Sequence, residues 1–453
     1  MKAEELELIA RNTFVLDCPK ITLSPQLSGS DKKTFEGAGS ITQIDEGQFL
    51  LKLYCEGEIS PKEALSRFFN TTVGKVIDDS EYYNLAAVDM KGRCWEAKRV
   101  LPNISSGPSP GYLVNSRLYE ISHSESLHKT LEKTTVIIKF RGDIDIPCNE
   151  GTIIETFISG EKRSKSTRLN IARFQAAGFK FEIEKEKNWL TVKAVSDSLP
   201  INDAIITRFT EALQFVLGRT LNWSVLELFQ ERIQEIKVRA SQENEEKSSL
   251  IRPPISFRSH DTADSVWTLF EKYLDHVISY PEKSWHPLFG LIHSVIESGN
   301  ASLEAQALTL SVSTEGLLKR EFSALATPDE SFEEQVDDAR HLIERSDLNE
   351  TIKERLKGFL GSILSPRAKD RLFVLKEKGL IDDDFVEAWN RLRNSSAHAD
   401  SPKSIDLQAY LNLCNSVLVL FYHLVFLAIG YTGDYTDYSS YHYPIRRFDK
   451  IIA

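Results

Sequence analysis

The sequence predicts an α+β multidomain protein, with a β-rich N-terminal domain over residues 1–198, a helical connector over 199–300 and an all-α C-terminal bundle over 301–453. Three observations carry this. The 453 residues exceed what one hydrophobic core serves, and an apolar content of 41% fills two or three. Up to about residue 198 the apolar residues come in short runs, several with period two. Beyond Pro200 the period becomes 3.6.

In the N-terminal part the segments 48–55, 134–140, 152–158, 179–184 and 189–195 are short and rich in β-branched and aromatic residues, so each is expected as a strand. Glycine and proline separate them, most densely over 105–111, which is expected as a loop. One helix is expected to start at Ser60, where serine caps, Pro61 takes the first helical position and Glu63 closes a capping box.

After Pro200, Ile205, Ile206, Phe209, Leu213, Val216 and Leu217 fall on one helical face. Val225, Leu226, Phe229, Ile233 and Ile236 fit a second helix at the same period. The charged stretch 241–249, before Pro253 and Pro254, is expected as an exposed connection. Further amphipathic helices are expected at 262–279, 285–297, 302–322, 330–345, 349–363, 382–395 and 404–429. The apolar run 417–429 has 13 residues, whereas a spanning helix needs about 20, so a buried core helix is expected and no membrane.

A formal net charge of -11 excludes a protein that coats nucleic acid by global basicity; a polyanion must meet a local patch. The cysteines Cys18, Cys55, Cys94, Cys148 and Cys414 are odd in number, lack a Cys-x-x-Cys pair and suit a reducing cytoplasm. The acidic N-terminus does not resemble a secretion signal. No Gly-x-x-x-x-Gly-Lys-Ser/Thr loop occurs, and Gly37-Ala38-Gly39 lacks the third glycine of a dinucleotide site, so no cofactor is expected. Pro287 separates His286 from the helix of His293, and the acidic run from Asp382 to Asp384 caps a helix. No metal site is expected.

One constellation carries chemistry. Helix 382–395 places Phe385, Trp389 and Leu392 on an apolar stripe, with Arg393 one turn beyond Trp389 at its edge. Asn394 follows, and His398 comes in the polar stretch after it. A permanent cation, an amide and an imidazole with an unperturbed pKa of about 6.5 thus gather at one helix end. Metal-free RNA cleavage needs these types: a base for the 2′-hydroxyl and a planar cation for the phosphorane. The bland alternative is Arg393 packed over Trp389 with His398 in solvent. A decoy of similar spacing, Arg117 and His123, lies in the β-rich part with no helix leading into it.

The motif Arg393-Asn394-x-x-x-His398, preceded by helices 302–322 and 330–363 and followed by the long apolar helix 407–429, resembles a HEPN domain over about residues 300–453. The whole arrangement is similar to the Apea-like group, in which a β-rich domain precedes a HEPN domain; over the first 200 residues that likeness is architectural. The resemblance implies a metal-independent endoribonuclease acting on RNA, with a composite site formed when a homodimer juxtaposes two motifs. It further implies anti-phage defence by abortive infection, with a phage-derived or other trigger sensed by the N-terminal domain. A polar residue from a preceding helix is also implied, and Glu315 holds that position.

Positive segments flank the motif: 365–378 carries a net +3, with Arg367, Lys369 and Arg371, and 390–403 a net +2, with Arg391 and Lys403. These five cations are the expected RNA-backbone contacts. His423 is expected as a satisfied core histidine, and the tyrosine-rich tail from Tyr431 to Tyr443 as packed on its own domain. Two other functions compete: a non-catalytic dimerisation or nucleotide-binding bundle carrying a β-rich ligand-recognition domain, and a sugar- or protein-binding β-domain on a helical stalk. An intact motif favours the enzyme, because a scaffold has no need of it.

Overall fold

Short alternating runs at the N-terminal end become strands because one set of side chains leaves water while the other stays in it. The computed structural model describes the chain apart from residues 28–31, 45–46, 60–73, 107–110, 159–160, 241–250, 258–261, 327–329, 398–405 and 453. After helix α1 (Ala3–Ala10) come β1 (Val15–Pro25), β2 (Phe35–Ile44), β3 (Gln48–Glu56), β4 (Tyr83–Val88), β5 (Cys94–Val100), β6 (Asn103–Ser106) and β7 (Gly111–Leu118). They continue as β8 (Glu120–Ser126), β9 (Thr134–Arg141), β10 (Glu150–Ile158), β11 (Glu161–Ala176), β12 (Phe179–Lys185) and β13 (Trp189–Ser196). All five expected strands are present. The helix expected at Ser60 and the connection expected at 241–249 lie outside the described residues, as do 107–110 of the expected loop, whose ends instead belong to β6 and β7.

Helix α2 (Asp203–Leu217) follows as the periodicity predicts, but the next segment does not. Val225 to Ile236 form no helix; they lie in an antiparallel hairpin of β14 (Trp223–Gln230) and β15 (Ile233–Arg239). The physical reason is burial. β14 lies between β9 and β15, its residues 223–227 are all buried, and a strand covered on both faces loses the alternation that marks strands in sequence. Its turn has two residues, and Glu231, not glycine, takes the left-handed position at φ 53°.

These fifteen strands make one antiparallel sheet in the order β10-β11-β12-β13-β9-β14-β15-β8-β5-β4-β1-β2-β3-β7-β6. Its core includes Phe14, Phe49, Leu51, Leu53 and Trp95. The chain divides into one unit of Met1–Asn202 with Leu221–Lys247 and another of Asp203–Thr220 with Ser248–Ala453, so the region 199–300 is shared between them.

The second unit is helical: α3 (Ala263–Val277), α4 (Pro287–Glu297), α5 (Leu303–Glu321), α6 (Glu330–Arg345), α7 (Glu350–Ile363), α8 (Ala368–Glu377), α9 (Asp383–Ala397) and α10 (Leu407–Ile429), then a small hairpin of β16 (Gly433–Thr436) and β17 (Ile445–Phe448). Each expected helix from 262 onward is present, and α8 is additional. Proline opens α4 with His286 as its cap, and Gly430 closes α10 at φ 65°, where a left-handed residue takes up the last carbonyls. Helix α5 is the hub, packing against α4, α8, α9 and α10. Helix α10 is long and apolar enough to cross a membrane, yet most of it is buried inside this unit, as a core helix is.

Candidate active site

Helix α9 is amphipathic: Phe385, Trp389 and Leu392 at i, i+4 and i+7 are buried, while Asp383 and Asp384 meet the positive end of the helix dipole. The Trp389 indole donates to the Ser311 carbonyl of α5 at 3.4 Å. One turn further along both helices, the Arg393 Nε donates to Glu315 Oε2 at 3.3 Å. The two helices therefore run in the same direction here, and the tryptophan sets the register in which the charged pair meets. The Arg393 guanidinium also lies 5.7 Å from the Trp389 ring centroid.

Glu315 serves two cations, since Lys319 one turn along α5 approaches its Oε1 at 2.7 Å. The Lys319 hydrogen bond, with Arg393 behind it, holds the Glu315 carboxyl below the ordinary glutamate range and ionised at neutral pH. Arg393 keeps half of its side chain in solvent. Among the described residues only its Nε–H is engaged, so the planar fork remains able to take a phosphate. Asn394 beside it is exposed.

The sequence-predicted set is thus placed unevenly. Arg393, Asn394 and Glu315 come together, whereas His398 and Lys403 lie outside the described residues. Arg391 is exposed but two residues from Arg393, on a different side of α9. Of the expected backbone contacts in 365–378, Arg367 and Lys369 are exposed and Arg371 is not. That expectation is corrected: Arg371 is buried on the inner face of α8 with Leu372 and Leu375, and its Nη1 donates to the Pro366 carbonyl at 2.9 Å. Sequence reasoning missed Lys319, although its i,i+4 spacing from Glu315 is the available signal.

His423 on α10 is a core histidine but not a satisfied one. It is 2% exposed among the rings of Phe385, Tyr435 and Phe448, and neither ring nitrogen has a hydrogen-bond partner among the described residues. Burial pushes its pKa down to about 3, so it stays neutral at neutral pH. The decoy is structural: His123 is buried in the sheet, its Nδ1 2.8 Å from the Cys94 carbonyl oxygen and its ring against Trp95. In the tail, Tyr431, Tyr435 and Tyr438 are buried on their own unit, while Tyr441 and Tyr443 are exposed.

Among the described residues no three His, Cys, Asp or Glu side chains gather as a metal ion requires. The chain matches no family model, no curated protein and no solved structure.

Proposed function

We propose that the chain is a metal-independent endoribonuclease of the HEPN type. The observation that carries this is Arg393 near the end of α9, fixed through Nε by Glu315 and with its remaining donors unengaged among the described residues, with Asn394 beside it and His398 five residues on. In the reaction the His398 imidazole removes the proton of a ribose 2′-hydroxyl. That oxygen attacks the adjacent phosphorus, the bond to the 5′-oxygen breaks, and a 2′,3′-cyclic phosphate and a 5′-hydroxyl result. Arg393 stabilises the charge that gathers on the phosphorane oxygens, and Asn394 holds the phosphate or the imidazole. Protonation of the departing 5′-oxygen is best served by a second imidazole, which the motif of a second copy supplies across a two-fold axis. Exposed Arg367, Lys369 and Arg391 guide the backbone despite the acidic whole. The same resemblance makes anti-phage defence the role, with the β-rich unit as sensor.

One observation favours a second reading, a non-catalytic bundle: an arginine packed over Trp389 and paired with Glu315 is also what a scaffold makes of these residues. Labelled RNA incubated with purified protein in EDTA separates the two. The nuclease leaves cyclic-phosphate ends and spares DNA, which has no 2′-hydroxyl; intact RNA sinks the proposal.

A further inference from the structure

Helices α5 and α9 keep one register over two successive contacts: Trp389 meets Ser311 and Arg393 meets Glu315, each pair 78 residues apart. The same offset sets Lys319 level with Ala397, where α9 ends. Lys319 lies one turn beyond Glu315 on the same row of α5, and its Nζ approaches Oε1 of that carboxylate at 2.7 Å. Arg393 Nε takes the other oxygen, Oε2, at 3.3 Å. The two cations are thus no further apart than one carboxylate and two hydrogen bonds allow. Exposure is graded across the three side chains, from 26% for Glu315 to 50% for Arg393 and 57% for Lys319. The carboxylate is the sheltered member, and both cations reach out from it into solvent.

Each cation keeps donors to spare. An ammonium has three, of which Glu315 engages one on Lys319, and a guanidinium has five, of which Glu315 engages the Nε–H of Arg393. Neither cation has another acceptor among the described residues. Two cations over one carboxylate leave a net charge of +1, the complement of a single phosphodiester. The next cation along, Arg320, stands about 100° further round α5 and turns to Glu321 at 3.5 Å, so it takes no part.

We infer that Lys319 is the second cation of a cradle for one phosphate of a single-stranded RNA, with Glu315 as the positioning residue that holds both cations to it. Arg393 offers its planar fork to two phosphate oxygens, and Lys319 adds a point charge with two free donors. As charge grows on the phosphorane, both cations face it. That the strand is RNA, and that this phosphate is the one cleaved, rest on the function proposed above; the cradle itself does not. A glutamate four residues before a lysine also steadies its own helix, so stability alone cannot reveal this role.

Fluorescence anisotropy with a labelled single-stranded oligonucleotide of 2′-O-methyl riboses, which lacks the attacking hydroxyl, reads the cradle on the full chain apart from cleavage. Lys319→Met should weaken binding several-fold and reduce the slope of log affinity against log salt by up to about 0.7, the share of one phosphate contact on a single strand. Lys319→Arg and the control Arg320→Met should bind as wild type does. Glu315→Gln should bind several-fold more tightly, because a like charge beneath the phosphate is gone; a merely structural Glu–Lys pair would not produce this. With unmodified RNA, Lys319→Met should cleave more slowly at saturating substrate. A wild type that does not bind the analogue, or a Lys319→Met chain with wild-type affinity and salt slope, would overturn the inference, and in the second case RNA cleavage by both chains leaves the nuclease standing without the cradle. Analogue binding in the expected pattern with RNA left intact would keep the cradle and sink the nuclease.

Discussion

Replacing Arg393 with alanine separates catalysis from structure, because the two roles differ in scale. On the structural side the variant loses the ion pair with Glu315, half-exposed and therefore worth about 0.2–1 kcal/mol after solvent screening, and a cation–π contact of about 0.5–1 kcal/mol at such an exposed site. Trp389 keeps its packing and its bond to Ser311. The total, at most about 2 kcal/mol, lowers the melting temperature of a unit of this size by roughly 4–8 °C and leaves nearly all molecules folded. On the catalytic side, loss of a preorganised donor to a developing anion costs about 100- to 1,000-fold in rate. Initial cleavage rates below the melting transition, measured beside a thermal melt, resolve the two effects. Arg393→Lys keeps the charge without the planar fork and should retain only part of the rate. A full wild-type rate in Arg393→Ala would refute the assignment of the phosphate site.

His398→Ala should abolish cleavage with an unchanged melt, whereas His123→Ala should leave cleavage intact and reduce stability, since His123 is buried against Trp95; the reverse pattern means that the motif is the wrong one. Trp389→Ala removes a side chain 1% exposed and should cost about 3–5 kcal/mol, read as a melting shift of more than about 6 °C. Acid should weaken the helical unit: the folded pKa of His423, about 3, lies below its unfolded value, so stability is present above about pH 6.5 and falls as pH drops towards 3. By pH 5 this amounts to about 2 kcal/mol, and His423→Phe should flatten a urea denaturation series over that window. Mixing His398→Ala chains with Arg393→Ala chains should give a heterodimer whose cleavage differs from that of either parent; mixtures no different from the two parents count against a shared site.

Much of this architecture is legible because burial on one face leaves a periodic trace. β3 alternates, with Phe49, Leu51, Leu53 and Cys55 buried, and α9 repeats its apolar residues at the spacing of a half-buried helix. The trace fails where both faces are covered, as in β14, and where charge dominates a short segment. Residues 365–378 look like a solvated positive stretch, yet Ala368, Leu372 and Leu375 are buried in α8 and draw Arg371 in with them. The candidate site is legible for the opposite reason. Chemistry on a large polar substrate requires particular side chains displayed near a helix end, and Arg393 and Asn394 stand there in plain order. What places Glu315 and Lys319 beside them is the Trp389–Ser311 bond between two helices 78 residues apart, and nothing local to either helix records that register.

The same distinction explains why the most strongly perturbed carboxylate lies elsewhere. Helix α2 carries Arg208 and Glu211 one turn apart, a spacing that on sequence suggests a polar face towards water. Both are fully buried instead, paired at 3.0 Å, because the segment leading into α4 lies over them: Arg208 donates to the Ser284 carbonyl and Glu211 accepts from the His286 backbone N–H at 2.8 Å. Burial pushes the Glu211 pKa up to about 7, against the pull of Arg208, and burial pushes that of His286 down to about 4. A buried pair of this kind contributes little net stability, since desolvation offsets the attraction, but breaking it strands a charge. Its effect is to fix which loop covers α2, and hence where α4 begins and packs on α5. The helix that presents Glu315 to Arg393 is thus braced, through α4, by a buried charge pair on α2.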